Sequence, residues 1–535
     1  MAPASPTIGR DRLALYVLSF GGVAVVLAAL PYKAFDLDRY FMPKELVLHV
    51  CAGVAAVLCI GKRWRITVRA VDMLLAAFLG LSLISAVFAT NRWAAERALA
   101  ISLSGAALFW VASALRKAGL VRPLLVALAV AVVVGAATSL AQTYGVQSDY
   151  FSLNRVPGGT FGNRNFIAHL AAIGAPVVML VALTAPRGFG SVFGAIAMAV
   201  LAATLVLSRS RAAWLAVIAL AVPVVLLARM SWSRWSEPRT VRRVLVLGLA
   251  SAAGVVIAIF VPNRLEWKSG SPYLDSAAGL VNYKEGSGRG RLVQYGNSLA
   301  MTRAHPVLGV GPGNWPVVYP KFASHNDPSM SQSVDGVTSN PWPSSDWAAY
   351  LSERGVPGCL LLVLVMIGLL IRAIRDLRGA TGRDPERVLT AIALIGTLVA
   401  TAVVGAFDAV LLIAVPTYFV WTLAGALRPL SGGAEAEVDI RRIVPVLIMG
   451  IAAIVVARSA AQVAAITIAS NSTRVGALST AAVLDPGNYR LQMRLAESYV
   501  ARGDCAHARG HARAARDLFP SAAEPKHALA QCGAR

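Results

Sequence analysis

The chain has 535 residues, 57% of them hydrophobic and only 14% charged, with a mean hydropathy of +0.63. Soluble domains carry about a quarter charged residues, so this composition excludes an ordinary soluble enzyme and points to a membrane protein. The 50 Lys and Arg against 27 Asp and Glu give a formal charge of +23, but the cations sit between apolar runs of bilayer-spanning length, which reads as membrane topology rather than nucleic-acid binding.

Thirteen mostly apolar runs follow in chain order, near 13–31, 45–61, 71–89, 98–115, 123–142, 166–184, 190–207, 213–229, 244–262, 356–371, 388–407, 410–427 and 443–462. Each is long enough to be read as a spanning helix. Arg10 and Arg12 precede the first run, which lacks a small-residue cleavage site and is expected to stay as a signal anchor. Numbered alternately, one set of connections holds 23 Lys and Arg, from Arg10 to Arg442, whereas the short connections of the other set hold nine. The positive-inside rule therefore puts the N-terminus in the cytoplasm.

The expected class is an all-α polytopic membrane protein of about 12–13 transmembrane helices. Its expected organisation is a cytoplasmic N-terminus at 1–12, spans one to nine over 13–262 and a large periplasmic loop at 263–355. Spans ten to thirteen and their exit follow over 356–469, and then a small helical domain at 470–535. That last domain is periplasmic if 388–427 makes two crossings around Asp408. Cys51, Cys59 and Cys359 lie in or beside apolar runs and read as small hydrophobes.

Polar features stand out along this frame. Before span two, Asp36-Leu37-Asp38 has the look of the paired acids that bind metal in some lipid-sugar transferases, a two-residue match. No metal-ligand spacing of His or Cys accompanies it, and no metal or cofactor is expected. Just before span six, Arg155 and Arg164 flank Gly158-Gly159-Thr160-Phe161-Gly162-Asn163-Arg164-Asn165, with His169 following as either a packing or a functional histidine. Ser208-Arg209-Ser210-Arg211 marks the junction of spans seven and eight, and the long loop adds Arg289, Arg291 and Arg303.

These outward arginines break the charge rule and call for a reason. One reading is headgroup snorkelling. The other is recognition of a lipid-linked phosphate or pyrophosphate, because guanidinium presents a planar donor fork and the neighbouring glycines allow close backbone approach. The turn Gly309-Val310-Gly311-Pro312-Gly313-Asn314-Trp315 lacks the context of a dinucleotide fingerprint and reads as a structural turn, and no phosphate loop occurs in the chain. Outward acids and histidines that could act as a base are Asp36, Asp38, His305, His325, Asp327, Asp335, Asp346 and Glu353. Lys268, Lys284 and Lys321 read as solvating charges.

In the tail, Pro486 and Pro520 stand 34 residues apart, the tetratricopeptide period, with Leu495, Ala496, Tyr499, Gly503, Ala508 and Ala515 between them in a helix-turn-helix pattern. One such repeat cannot bury its own faces, so the tail is expected to lean on the membrane body or on a protein partner. Cys505 and Cys532 are either a disulfide, if the tail is outside the cytoplasm, or two unrelated thiols.

Taken together, Gly159-Thr160-Phe161-Gly162-Asn163-Arg164-Asn165-Phe166, Ser208-Arg209-Ser210-Arg211-Ala212-Ala213-Trp214, and Arg291 ahead of His305-Pro306-Val307-Leu308-Gly309-Val310-Gly311-Pro312-Gly313 resemble the O-antigen ligase and O-antigen polymerase superfamily. Asp346-Trp347-Ala348-Ala349-Tyr350-Leu351-Ser352-Glu353-Arg354-Gly355 is similar to the same family's approach to the next span, and Pro43-Lys44-Glu45 is a weaker match. The resemblance covers residues 13 to 427 and extends to the tail, since many members carry tetratricopeptide repeats after the last span.

It implies a metal-independent, GT-C-like membrane glycosyltransferase of surface polysaccharide and lipopolysaccharide biosynthesis in the bacterial inner membrane, working on the periplasmic face. The implied donor is an undecaprenyl-pyrophosphate-linked glycan, and the implied acceptor is a lipid A core, a growing glycan or a protein hydroxyl. By the same resemblance, pyrophosphate binding falls first to Arg209 and Arg291, then to Arg211, Arg164 and Arg289, with Asn165 beside them. Family ligases commonly carry a histidine where this chain has Ser344, which leaves the base to His325, Asp346 or Glu353. Two other classes fit thirteen spans: a lipid-linked sugar transporter or flippase, although no matching halves are visible, and an envelope scaffold acting through the tail.

Overall fold

The computed structural model describes residues 6–533 apart from 33, 34, 36, 61–64, 187, 268, 281–285, 325, 381–382, 430–435 and 440–442. The chain is an all-α multi-pass membrane protein. In lipid every backbone N–H and C=O must be paired within the protein, and an apolar run meets that demand by coiling into a helix. The membrane body accordingly contains α1 (Pro6–Leu27), α2 (Asp38–Ile60), α3 (Ala70–Val87), α4 (Arg92–Lys117), α5 (Val121–Thr143), α6 (Arg164–Thr184), α7 (Phe189–Ser208) and α8 (Arg211–Met230). The short α9 (Trp232–Trp235) leads into α10 (Pro238–Phe260).

The connection that follows carries α11 (Pro272–Ala278), α12 (Gly286–Ala304) and α13 (Trp315–Val318). The body closes with α14 (Asp346–Gly379), α15 (Pro385–Phe407), α16 (Ala414–Leu427) and α17 (Ile443–Asn471). Among the described residues, eleven helices are long and apolar enough to cross a membrane. On the face opposite the long connection, β1 (Arg65–Val68) pairs antiparallel with β2 (Ala436–Asp439).

Two departures from the hydropathy pattern shape the interior. First, α14 begins at Asp346, ten residues before its apolar run, and kinks at Gly355, which has φ 70°. A side chain there would collide with the Val307 carbonyl. The charged residues that hide this first stretch are buried: Arg354 is 1% exposed, donates to Ser82 Oγ at 3.1 Å and Ser102 Oγ at 2.9 Å, and stacks over Tyr350.

Second, α16 is buried along its whole length but has only 14 residues, about 21 Å at 1.5 Å per residue against a hydrocarbon core of about 30 Å. The missing length is the non-helical segment 408–413, inserted between α15 and α16. Irregular backbone at such depth is tolerated only where protein satisfies it. Both carboxylate oxygens of Asp346 do so, accepting from Val410 N–H and Leu411 N–H at 2.9 Å each. Tyr350 donates to the Leu411 carbonyl at 3.2 Å.

The tail consists of α18 (Val475–Leu484), α19 (Tyr489–Ala501), α20 (Cys505–Leu518) and α21 (Glu524–Gly533). Ala508, Ala512, Ala515 and Leu518 line the buried stripe of α20, at the i, i+4, i+7 spacing of an inward helix face. A disulfide joins Cys505 to Cys532, with their Cα atoms 5.3 Å apart. The tail leans on the body: Leu478, Leu491 and Leu495 pack with Phe35, Met42 and Ile466. Asn91 donates to the Leu518 carbonyl at 3.2 Å, and Ala523 N–H to the Asp335 carbonyl at 3.0 Å. The long connection and the tail therefore share one face of the bundle.

Candidate functional site

The α7–α8 junction turns within two residues. Arg209 sits in the left-handed region with φ 50° and ψ 31°, a conformation that costs a non-glycine residue about 1–2 kcal/mol, and strain of this kind concentrates at functional sites. Its guanidinium lies 4.4 Å from the Trp267 ring centre, and its Nε is buried without a partner. Burial pulls its pKa down from the ordinary range, while Tyr273 and Asp275 pull it back up. An arginine so placed still keeps its charge.

Arg211 opens α8 and donates to the Gly279 carbonyl at 2.7 Å. It shares a small cavity with Gly288, Arg291 and Phe407, and the Nε of Arg291 is also buried without a partner. Arg164 opens α6, where the Asn163 side chain caps the helix by accepting from Asn165 N–H at 3.0 Å. Arg164 stands within electrostatic reach of Arg155, Arg209 and Arg211, and Arg155 is itself left-handed with φ 53°. Arg289, two residues before Arg291 on α12 and so on a different face of the helix, is exposed.

One carboxylate faces this cluster from the other side. Asp408, at the C-terminal end of α15, accepts from Asn165 Nδ2 at 3.2 Å, and its Oδ2 lies 3.8 Å from His169 Nε2. His169 Nε2 is 3.4 Å from Ser210 Oγ, and its Nδ1 is buried without a partner. His169 also lies within reach of the Arg291 charge. Three separate stretches of sequence thus bring guanidinium groups together next to Asp408, His169 and Ser210, the last two of which meet at His169 Nε2. Cations so held can gather an anion, and a partly exposed carboxylate beside them can take up a proton.

The other acids lie elsewhere. Asp346 is 1% exposed, and its oxygens serve the 408–413 backbone. Glu353 is 2% exposed and accepts from Trp315 N–H at 3.2 Å. It belongs to an interlock in which Val310 N–H and Gly311 N–H donate to the Ser352 and Glu353 carbonyls, each at 2.9 Å. Gly309, Gly311 and Gly313 all have positive φ there, and a Cβ at Gly309 would meet the Glu353 backbone at 2.3 Å. Asp327 holds Tyr319 and Asn297 at 2.8 and 2.7 Å within the long connection.

Ser344 is tied to α12 one turn past Arg291: its N–H donates to Gln294 Oε1, and its carbonyl accepts from Tyr295 at 3.0 Å. Asp36, Lys268, Lys284 and His325 lie outside the described residues. No group of three or more His, Cys, Asp or Glu that could hold a metal occurs among the described residues. The sequence named Asp408 only as the pivot of two crossings and Ser210 only within the Ser208–Arg211 motif, with a role for neither. The available signal was a lone acid in the short gap between two apolar runs, since charge at membrane depth marks function.

Residues 196–363 match the family model described as O-antigen ligase. The matched stretch takes in Arg209, Arg211, Arg289, Arg291, His325, Asp346 and Glu353, whereas Arg164, Asn165, His169 and Asp408 lie outside it. No curated protein matches the chain. The chain thus carries an O-antigen ligase domain within a multi-pass helical body, which supports a membrane glycan-transfer role in polysaccharide assembly.

Proposed function

We propose that the protein is a metal-independent glycosyltransferase that moves a glycan from undecaprenyl pyrophosphate to an acceptor hydroxyl on the periplasmic face of the bacterial inner membrane. The observation that carries this reading is the convergence of Arg164, Arg209, Arg211 and Arg291 beside Asp408. Orientation rests on the loop charges: with the N-terminus in the cytoplasm, an odd number of crossings puts the arginine cluster, the long connection and the tail outside.

In this mechanism the acceptor oxygen attacks the anomeric carbon, the bond from that carbon to pyrophosphate oxygen breaks, and the pyrophosphate leaves on its lipid. Arg209 and Arg291 bind the leaving group, supported by Arg211, Arg164 and, from the rim, Arg289. Each charge-assisted hydrogen bond contributes roughly 1.5–3 kcal/mol, and those that strengthen as charge moves onto the pyrophosphate lower the barrier. Pyrophosphate leaves readily once its charge is held, so positioning does most of the work.

The acceptor proton passes to Asp408, which Asn165 and His169 orient. Asp408 takes this role in preference to Asp346, whose two oxygens accept from backbone N–H groups, and to Glu353, which is buried beside Arg354 with one oxygen accepting from Trp315 N–H. His325 is the competing base, and His325→Ala retaining full turnover removes it.

The test is purified protein in lipid vesicles supplied with an undecaprenyl-pyrophosphate oligosaccharide, with products followed by mass spectrometry and Arg291→Ala as control. A ladder on the carrier identifies a polymerase. Transfer only after a lipid A core or peptide is added identifies a ligase or protein transferase. Movement of the donor across the bilayer without bond formation overturns the reading in favour of transport.

A further inference from the structure

A second cavity, of about 320 Å³, lies between the membrane body and the tail, in the size range of about 300–1,000 Å³ usual for small-molecule sites. We propose that it is a saccharide subsite that holds the acceptor glycan; this assignment rests on the transferase reading above. Its floor is the start of α2 and α4, its roof is residues 485–490 and Phe519 of the tail, and residues 337–342 of the long connection close one side.

The chemistry of the lining selects the ligand class. Asp38, Glu45, Glu353 and Asp485 line it together with Arg97, Arg354, Arg458 and Arg490, so acid and base are equal in number where in the arginine cluster they are not. Arg97 holds Glu45 through two hydrogen bonds of 2.7 and 2.9 Å, with Asp38 at 4.0 Å. The Arg97 and Asp38 side chains remain 29% and 24% exposed, leaving donor and acceptor edges open. A phosphate would meet as many carboxylates as guanidinium groups, and a lipid tail would strand their charges. A neutral polyol satisfies both, because each hydroxyl donates to carboxylate and accepts from guanidinium.

Aromatic faces supply the complementary surface. Trp93, 37% exposed and covered on one side by Arg458 at 4.2 Å, lines the cavity together with Trp342 and Tyr489. The C–H face of a pyranose ring lies flat on such surfaces. Trp342 also connects the cavity to the proposed reaction centre. Its ring meets Phe41 and Phe166 at 5.1 and 6.3 Å, and Phe166 lies 6.2 Å from His169. Leu411, Leu412 and Ile413, three to five residues after Asp408, form part of the cavity wall. A glycan held there extends toward Asp408.

The experiment uses full-length protein in nanodiscs and, as probe, carrier-free oligosaccharide released by mild acid from the source cell's surface polysaccharide. Tryptophan fluorescence reads binding without requiring turnover. Trp342→Ala is expected to weaken binding at least tenfold and Asp38→Asn about threefold to tenfold, while Arg291→Ala leaves it unchanged. Asp38→Asn and Asn340→Ala leave the Arg97–Glu45 pair intact and serve as variants that keep the fold. Unchanged binding in both Trp342→Ala and Asp38→Asn overturns the site. Turnover assays separate the two possible sources of sugar: a raised KM for acceptor with an unchanged KM for donor supports the assignment, and the reverse overturns it. If no variant or wild type turns over donor but oligosaccharide binding follows the pattern above, the transferase reading fails while the saccharide site stands.

Discussion

The arginine cluster and the tail cavity lie on the same face of the bundle, yet they are built on opposite electrostatic plans. In the cluster, guanidinium groups from α6, α8, α12 and the α7–α8 turn outnumber the carboxylates of Asp408 and Asp275, and two of them keep a buried Nε without a partner. In the cavity acids and arginines are equal in number, and the Arg97–Glu45 pair is closed by two hydrogen bonds, although Arg458, 3.4 Å from Glu96, also keeps two buried nitrogens without a hydrogen bond. Unmatched buried donors are costly in an empty site and favour an anionic ligand that completes them. Matched pairs disfavour an anion and leave room for hydroxyls. The comparison teaches that the sign of the local charge imbalance, more than the number of charges, separates the two kinds of ligand.

The largest expected effect breaks the frame that both sites share. Asp346→Ala removes two carboxylate-to-backbone hydrogen bonds inside the bundle and is expected to cost about 3–6 kcal/mol, from roughly 1.5–3 each. It is read as loss of folded protein in detergent size-exclusion and thermal melts. Next, Arg291→Ala and Arg209→Ala are expected to lower turnover by about 10²–10³-fold while the melting temperature stays near wild type. An unaltered rate would count against pyrophosphate binding in the cluster.

Asp408→Asn is expected to lower turnover by about 10²–10⁴-fold with donor affinity retained, which sharpens the contrast with Asp346, because one acid then acts on rate and the other on folding. The smallest effect is confined to the tail. His511 Nδ1–H donates to Gln492 Oε1 at 2.8 Å, and burial, then the charge of His507, holds its pKa below the ordinary value. The unfolded tail therefore takes the proton first. This contribution to stability is complete above about pH 6.5 and declines as pH falls below it. Hydrogen-exchange protection in α19 and α20 of the full chain, corrected for the intrinsic pH dependence of amide exchange, is expected to fall at pH 5.5 relative to pH 7.5, and His511→Gln to remove the difference.

The long apolar runs were legible because a bilayer leaves the backbone few choices: from 71–89 to 388–407, each run became a helix. The first ten residues of α14 were not, because Asp346, Glu353 and Arg354 look like solvent-facing charges until their partners Val410, Trp315 and Ser82 are seen. The arginines were legible as breaches of the charge rule. Asp408 was not, because nothing in its neighbourhood of sequence reveals that Asn165 and His169, some 240 residues earlier, end beside it.

Sequence by itself therefore determined what depends on local composition and transfer from water to lipid: the helical class, the alternation of charged connections and the presence of arginines that break that alternation. Tertiary structure alone decided which acid seals the backbone and which faces the cations, and it formed a cavity from α2, α4 and the tail. Those outcomes depend on contacts between residues hundreds of positions apart. Whether a charge is paired, orphaned or open to a ligand is a property of its neighbours in space, which no periodicity along the chain encodes.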